Sequence, residues 1–217
     1  MDYKICNKGN FEPVVDEQKK IITINAVYFT AKENEAKLQE AINAWNAKSM
    51  EYNYINNEET YNIIFNLTIG NGNFANNDAA VDAHQVNIVS GQTNYYKVAD
   101  TGKHPITAMP ILGKTEHGNT ITVRNKDDVR TIMHEIGHTL GLKEWSTALM
   151  ESGGKGTAIT QRNIATILHI AGIGIPIDNT QYPHYELPVS PKTETHIGKP
   201  SRIYKMNTGK VKKNDKY

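Results

Sequence analysis

Apolar positions recur along this chain with two different periods, and each period marks the elements it predicts. Ile21 to Phe29 is dense in β-branched and aromatic residues and reads as a strand. Thr30 and Glu33 then stand at capping-box spacing, each side chain able to answer the other's free amide. Ala36, Leu38, Ala41, Ile42 and Trp45 return at helical spacing, so a helix is expected to about Lys48. From Tyr61 to Ile69 the period changes to two. Ile63, Phe65, Leu67 and Ile69 face one way and Asn62, Asn66 and Thr68 the other, a half-buried strand. Residues 70–78 (GNGNFANND) read as a loop, Val86–Ser90 as a short strand and 91–105 as irregular chain. Ile106 to Leu112 reads as a strand that Pro110, having no amide to donate, confines to a sheet edge. Thr120 to Arg124 is a further short strand. Asn125 is placed to cap a helix with Asp127 and Asp128 at its positive end, and Gly141 to stop it after Leu140. A last helix from Thr160 turns Ile164, Ile167, Leu168 and Ala171 inward and ends at Gly172.

Strand, helix and strand in succession imply a right-handed crossover, and hence an α/β (α+β) fold on a mixed sheet. Five of the eight prolines (Pro176, Pro183, Pro188, Pro191 and Pro200) follow residue 175. The expected organisation is therefore an N-terminal extension over 1–20, one domain over 21–175, and a Pro-rich, then Lys-rich extension over 176–217.

Charge refines this picture. The chain of 217 residues carries a net +1, so no global field gathers nucleic acid, and no nucleic-acid partner is expected. Residues 192–217 hold eight Lys/Arg against two Asp/Glu, a net +6, which leaves 16 against 21, or −5, for residues 1–191. An acidic body carries a basic tail. A single cysteine, Cys6, excludes an internal disulfide framework. No run of 18 apolar residues is present, so no membrane span is expected, and the first ten residues lack the apolar core of a secretory signal.

The candidate chemistry lies in residues 134–144, HEIGHTLGLKE. His134 and His138 are four apart and share a helix face, while Val129, Ile132, Met133, Ile136 and Leu140 fall on the opposite side. Two neutral imidazoles at that spacing can share one zinc ion at about 2.0–2.1 Å. Glu135 follows the first of them, where its carboxylate can reach a zinc-activated water without ligating the metal, the mechanism behind HExxH. Gly141 lets the chain turn sharply off the helix, and Glu144 follows at third-ligand spacing. A carboxylate oxygen is an ordinary zinc ligand, though it should leave the bound water less acidic than a three-imidazole site would. His104, His117 and His169 are the other residues that could complete the set.

This stretch resembles the metzincin metalloproteases, in which HExxHxxGxx precedes a third ligand and a methionine turn. HEIGHTLGL followed by ALM (148–150) particularly resembles the matrix-metalloproteinase and snapalysin branches, and TAITQRNIATILHIAG (157–172) resembles the C-terminal helix of matrix metalloproteinases. The resemblance implies a mostly parallel, twisted five-stranded sheet with a backing helix, an active-site helix and a C-terminal helix. Its chain order is strand, helix, strand, strand, antiparallel edge strand, strand, active-site helix, methionine turn, C-terminal helix. It also implies a zinc endopeptidase with one zinc per chain, held by His134, His138 and Glu144, with Glu135 as general base and Met150 beneath the metal. The edge strand Ile106, Thr107, Ala108, Met109, Pro110, Ile111 and Leu112 would pair with an extended protein or peptide substrate. Two departures stand out. Glu144 occupies a position where most metzincins have His, and only Trp145 to Leu149 separate it from Met150, fewer than is usual.

Other signals are weaker. Cys6 could block the metal as a propeptide thiol does, but ICNKGN lacks that family's motif and an inert thiol is the simpler reading. Asp78 and Asp82 lie near Asn-Gly turns and could hold calcium, though not at EF-hand spacing. Trp45 reads as a core residue. A monomer is expected, extracellular or delivered by a dedicated export machine as the resemblance suggests. Two rival readings remain: a catalytically silent zinc-binding interaction module, and a protease effector or toxin domain cut from a larger bacterial protein.

Overall fold

The computed structural model describes residues 10–56, 59–72, 74–76, 79, 93–116, 118–144, 148–151, 153–173 and 189–191. Its centre is a parallel quartet of strands. β2 (Ile21–Phe29) lies between β4 (Glu59–Ile69) and β5 (Thr93–Val98), and β5 pairs with β7 (Thr120–Val123), all parallel. β6 (Gly113–Glu116) runs antiparallel to β7 at one end of the sheet. At the other end β3 (Tyr52–Asn56) pairs antiparallel with β4, and β8 (Val189–Pro191) with β3. β1 (Glu12–Asp16) pairs antiparallel with β2.

The mixed, mostly parallel sheet is thus as expected in character but larger, with eight strands among the described residues rather than five. β3 and β8 extend the sheet beyond β4, and β1 has a local cause of its own. β4 fills one whole edge of β2, from Ile21 to Tyr28. On the other edge β5 covers only Val27 to Phe29, which leaves the first half open to β1. Asn10 and Asn94 close the join: the Asn10 side-chain amide donates to the Thr93 carbonyl, and that of Asn94 donates to the Asn10 carbonyl at 3.1 Å. The sheet therefore begins inside the stretch assigned to an N-terminal extension, and β8 lies inside the one assigned to the C-terminal extension.

The strand expected over Ile106–Leu112 is not formed. Those residues make an exposed hairpin-like finger closed by a bridge between Lys103 and Pro110, and the edge strand starts immediately after it, at Gly113. Arg124 ties the base of the finger: its guanidinium donates to the carbonyls of Gly102 and Ile111 and pairs with Asp100. With its base fastened to the sheet this way, the segment closes on itself instead of extending along an edge. The stretch 91–105, expected to be irregular, contains β5. The short strand expected at Val86–Ser90 lies outside the described residues.

Helix α1 (Glu35–Asn46) follows β2 through a 3-10 turn at Lys32–Asn34. The Thr30 hydroxyl donates to the Tyr96 carbonyl at 2.8 Å instead of closing a capping box with Glu33. Leu38, Ala41, Ile42 and Trp45 are buried, while Ala36 is exposed. α1 packs on β4 and against α2 (Val129–Thr139), which packs on β6 and β7. Trp45 joins the two helices: its ring lies 5.7 Å from that of Phe65 and its Nε1 donates to the Met133 carbonyl at 3.1 Å. Trp45→Ala empties this fully buried site and is expected to cost about 3–5 kcal/mol in denaturant unfolding. α3 (Gln161–Ile170) begins with a complete capping box between Thr160 and Asn163. Among the described residues no helix is long and apolar enough to cross a membrane.

Candidate metal centre

The candidate site is carried by α2 and by the chain that leaves it. Asp128 caps the helix, its side chain accepting from the Thr131 amide, while the expected cap Asn125 serves the turn before it. At the far end Gly141 takes a φ of 86°, and the amides of Gly141 and Leu142 close back on the carbonyls of His138 and Gly137. This left-handed exit needs a glycine. It reverses the chain within three residues and delivers Glu144 to the helix face that carries both imidazoles.

The rings are held in one tautomer. His134 Nδ1 lies 2.7 Å from the Leu149 carbonyl, and His138 Nδ1 lies 2.7 Å from the Leu142 carbonyl. A carbonyl only accepts, so each Nδ1 carries a proton, and in the uncharged ring Nε2 is left with a lone pair. Those two Nε2 atoms face each other at 3.1 Å. Glu144 Oε1 stands 3.3 Å from the first and 3.5 Å from the second. Two imidazole Nε2 atoms and a carboxylate oxygen brought this close can share a cation. A tetrahedral ion at about 2.0–2.2 Å sets its ligands about 3.3–3.6 Å apart, and the edges of this triangle, 3.1–3.5 Å, come close to that. The donor set fits a divalent metal of zinc's size.

Glu135 occupies the other flank of the ring pair. Its carboxylate is buried, and the Thr115 hydroxyl donates to Oε2 at 2.7 Å. A Cβ at position 113 would lie 2.7 Å from Oε1, so Gly113 lets the edge strand approach this carboxylate closely. His134, Glu135 and His138 together are close enough to hold a metal ion. Glu144 is the carboxylate that meets both Nε2 atoms, whereas Glu135 is engaged by Thr115.

The electrostatics separate the two acids. Burial pushes the Glu135 carboxyl up, against the pull of His138 and the Thr115 hydrogen bond. Glu144 is 52% exposed at its side chain. Partial burial works to raise its pKa, but hydrogen bonds to His134 and His138 prevail and hold it down at about 2. For His138, burial lowers the pKa, yet the Glu144 and Glu135 carboxylates outweigh it and the net shift is upward. One carboxylate is tuned to take up a proton and the other to stay ionised.

Met150 is fully buried in the short turn Ala148–Met150, and a Cβ on Gly137 would lie 2.5 Å from its sulfur. The methionine packs directly beneath the helix segment between the two histidines. His104 lies in the exposed finger, its Nδ1 accepting from the amides of Ile106 and Thr107, and His169 lies on α3. Cys6, Asp78, Asp82 and His117 lie outside the described residues. One neighbour of the site was not anticipated: Thr115 sits in GKTE, which has no apolar residue to mark it as a strand. No protein-family model matches the chain, and no curated protein matches its sequence.

Proposed function

We propose that the protein is a zinc-dependent endopeptidase of the metzincin kind. The observation that carries this reading is the convergence of His134 Nε2, His138 Nε2 and Glu144 Oε1 within 3.1–3.5 Å of one another, above Met150 and beside a buried Glu135. The chain order supports it. With β1 and β3 set aside as additions, β2, α1, β4, β5, the antiparallel edge strand β6, β7, the histidine helix, the methionine turn and α3 come in the succession that the resemblance implies.

His134, His138 and Glu144 would hold the ion. Zinc bound there supplies Lewis-acid polarisation of the scissile carbonyl and lowers the pKa of water. Glu135 takes a proton from the water that forms the new carbon–oxygen bond, and delivers it to the amine as the carbon–nitrogen bond breaks. Its raised pKa suits both transfers. Thr115 fixes the carboxylate's orientation, so Thr115→Val should lower kcat roughly tenfold, as expected for a hydrogen bond to a charged group, while Thr115→Ser should retain it. β6 is the outermost strand on this side, and an extended peptide can add to it through backbone hydrogen bonds with little sequence demand. The finger before it presents Ile106, 89% exposed, and Met109, 67% exposed, to whatever lies along that edge.

The test is a peptide-library digest by the full chain loaded with one equivalent of zinc. Cleavage that a chelator abolishes and zinc restores is the expected result. Stoichiometric zinc binding without cleavage of any peptide or protein would overturn the peptidase reading in favour of a silent zinc-binding module.

A further inference from the structure

We infer that Arg130 is a positioning residue for the metal centre, acting on His134 through the Leu149 carbonyl. The inference rests on the metal-binding reading above. Arg130 lies one helical turn before His134, and its guanidinium spans both arms of the loop that follows the methionine turn. Nη2 donates to the carbonyls of Leu149 at 3.0 Å and Glu151 at 2.7 Å, and Nε donates to that of Gly156 at 3.2 Å. The Leu149 carbonyl thus accepts from two sources, Arg130 and His134 Nδ1, and the guanidinium fixes the oxygen that fixes the ring.

The loop has need of such a clamp. Ala148 adopts a φ of 62°, a left-handed conformation that a non-glycine residue keeps only when its surroundings impose it. Gly156 packs so close to Ala148 that a Cβ there would lie 2.9 Å from its backbone. Only five residues join Glu144 to Met150, so little chain is available to hold the turn from within. A planar fork with several fixed donors can bind three carbonyls on two arms, which a single ammonium cannot.

The experiment titrates zinc into the metal-free full chain against a chromophoric chelator. Arg130→Met should weaken zinc binding about 10–100-fold, the usual effect of losing a hydrogen-bond partner behind a ligand. It does so although it removes a positive charge near a cation, a change that by charge alone would tighten binding. Arg130→Lys keeps the charge, loses the fork and should fall between. Nitrogen NMR of the metal-free wild type should show His134 protonated at Nδ1. A folded Arg130→Met variant with wild-type zinc affinity overturns the inference. Should that variant not fold, wild-type affinity in Arg130→Lys, or a His134 without a proton on Nδ1, overturns it equally. A wild type that takes up no zinc overturns the peptidase reading with it, whereas unchanged affinity in the variants overturns this inference alone.

Discussion

Glu135→Gln is expected to keep its metal and to lose peptide hydrolysis by at least about 10²–10⁴-fold, the usual contribution of a positioned general acid–base group. The substitution keeps the shape of the side chain, and its amide oxygen can still accept from Thr115, so β6 should remain docked against α2. The amide cannot accept a proton from water, nor carry one to a leaving amine. Zinc content and peptide turnover should therefore separate in this variant, with metal near one per chain and kcat collapsed. The measurement also decides between the two acids that flank the ring pair. Loss of zinc together with activity would mean that Glu135 is a ligand and that Glu144 is not the third donor.

The residues that could be read from sequence are those whose local chemistry and tertiary role agree. Ile63, Phe65 and Leu67 alternate because β4 has one buried and one wet face, and the structure buries those three. Gly141 ends α2 as expected because no other residue takes that φ without strain. The HExxH spacing placed two rings on one face for the same reason that any helix does.

Elsewhere the sheet overrode local signals. β5 is TNYYKV, a strand buried on both faces at its start, so its pattern does not alternate, and Asn94 lies in the interior because the amide of its side chain reaches the Asn10 and Val27 carbonyls. β6 is GKTE, polar throughout, and becomes a strand through its pairing with β7. The finger at 106–112 carries the apolar residues that imitate a strand but turns them to solvent. The capping exchanges have a simpler origin. Thr30 and Asn125 both have the right chemistry, and tertiary partners or a nearer acid took the role.

Glu144 separates this chain most sharply from the family it resembles, and its replacement should have the largest effect on the metal. Glu144→Gln exchanges an anionic oxygen for a neutral amide at the point where Oε1 meets both Nε2 atoms. Zinc affinity should fall by more than the roughly 10–100-fold that partners behind a ligand contribute, because a ligand and a full negative charge are lost together. Acidification provides an independent check. The carboxyl of Glu144 is held at about 2, so it stays ionised as pH falls from neutrality, and protons should displace the metal by binding the two rings. Zinc release in the wild type should therefore track imidazole titration and be complete before Glu144 protonates. Glu144→His restores the three-imidazole set common in metzincins. It should retain zinc if a ring can be seated in the short turn to Met150, and should do so with the more acidic bound water that a less anionic donor set favours. Chelator competition on wild type and both variants reads all of this. Wild-type affinity in Glu144→Gln, with the glutamine side chain turned to solvent in the zinc-bound structure, would remove Glu144 from the donor set and leave the third position to another residue.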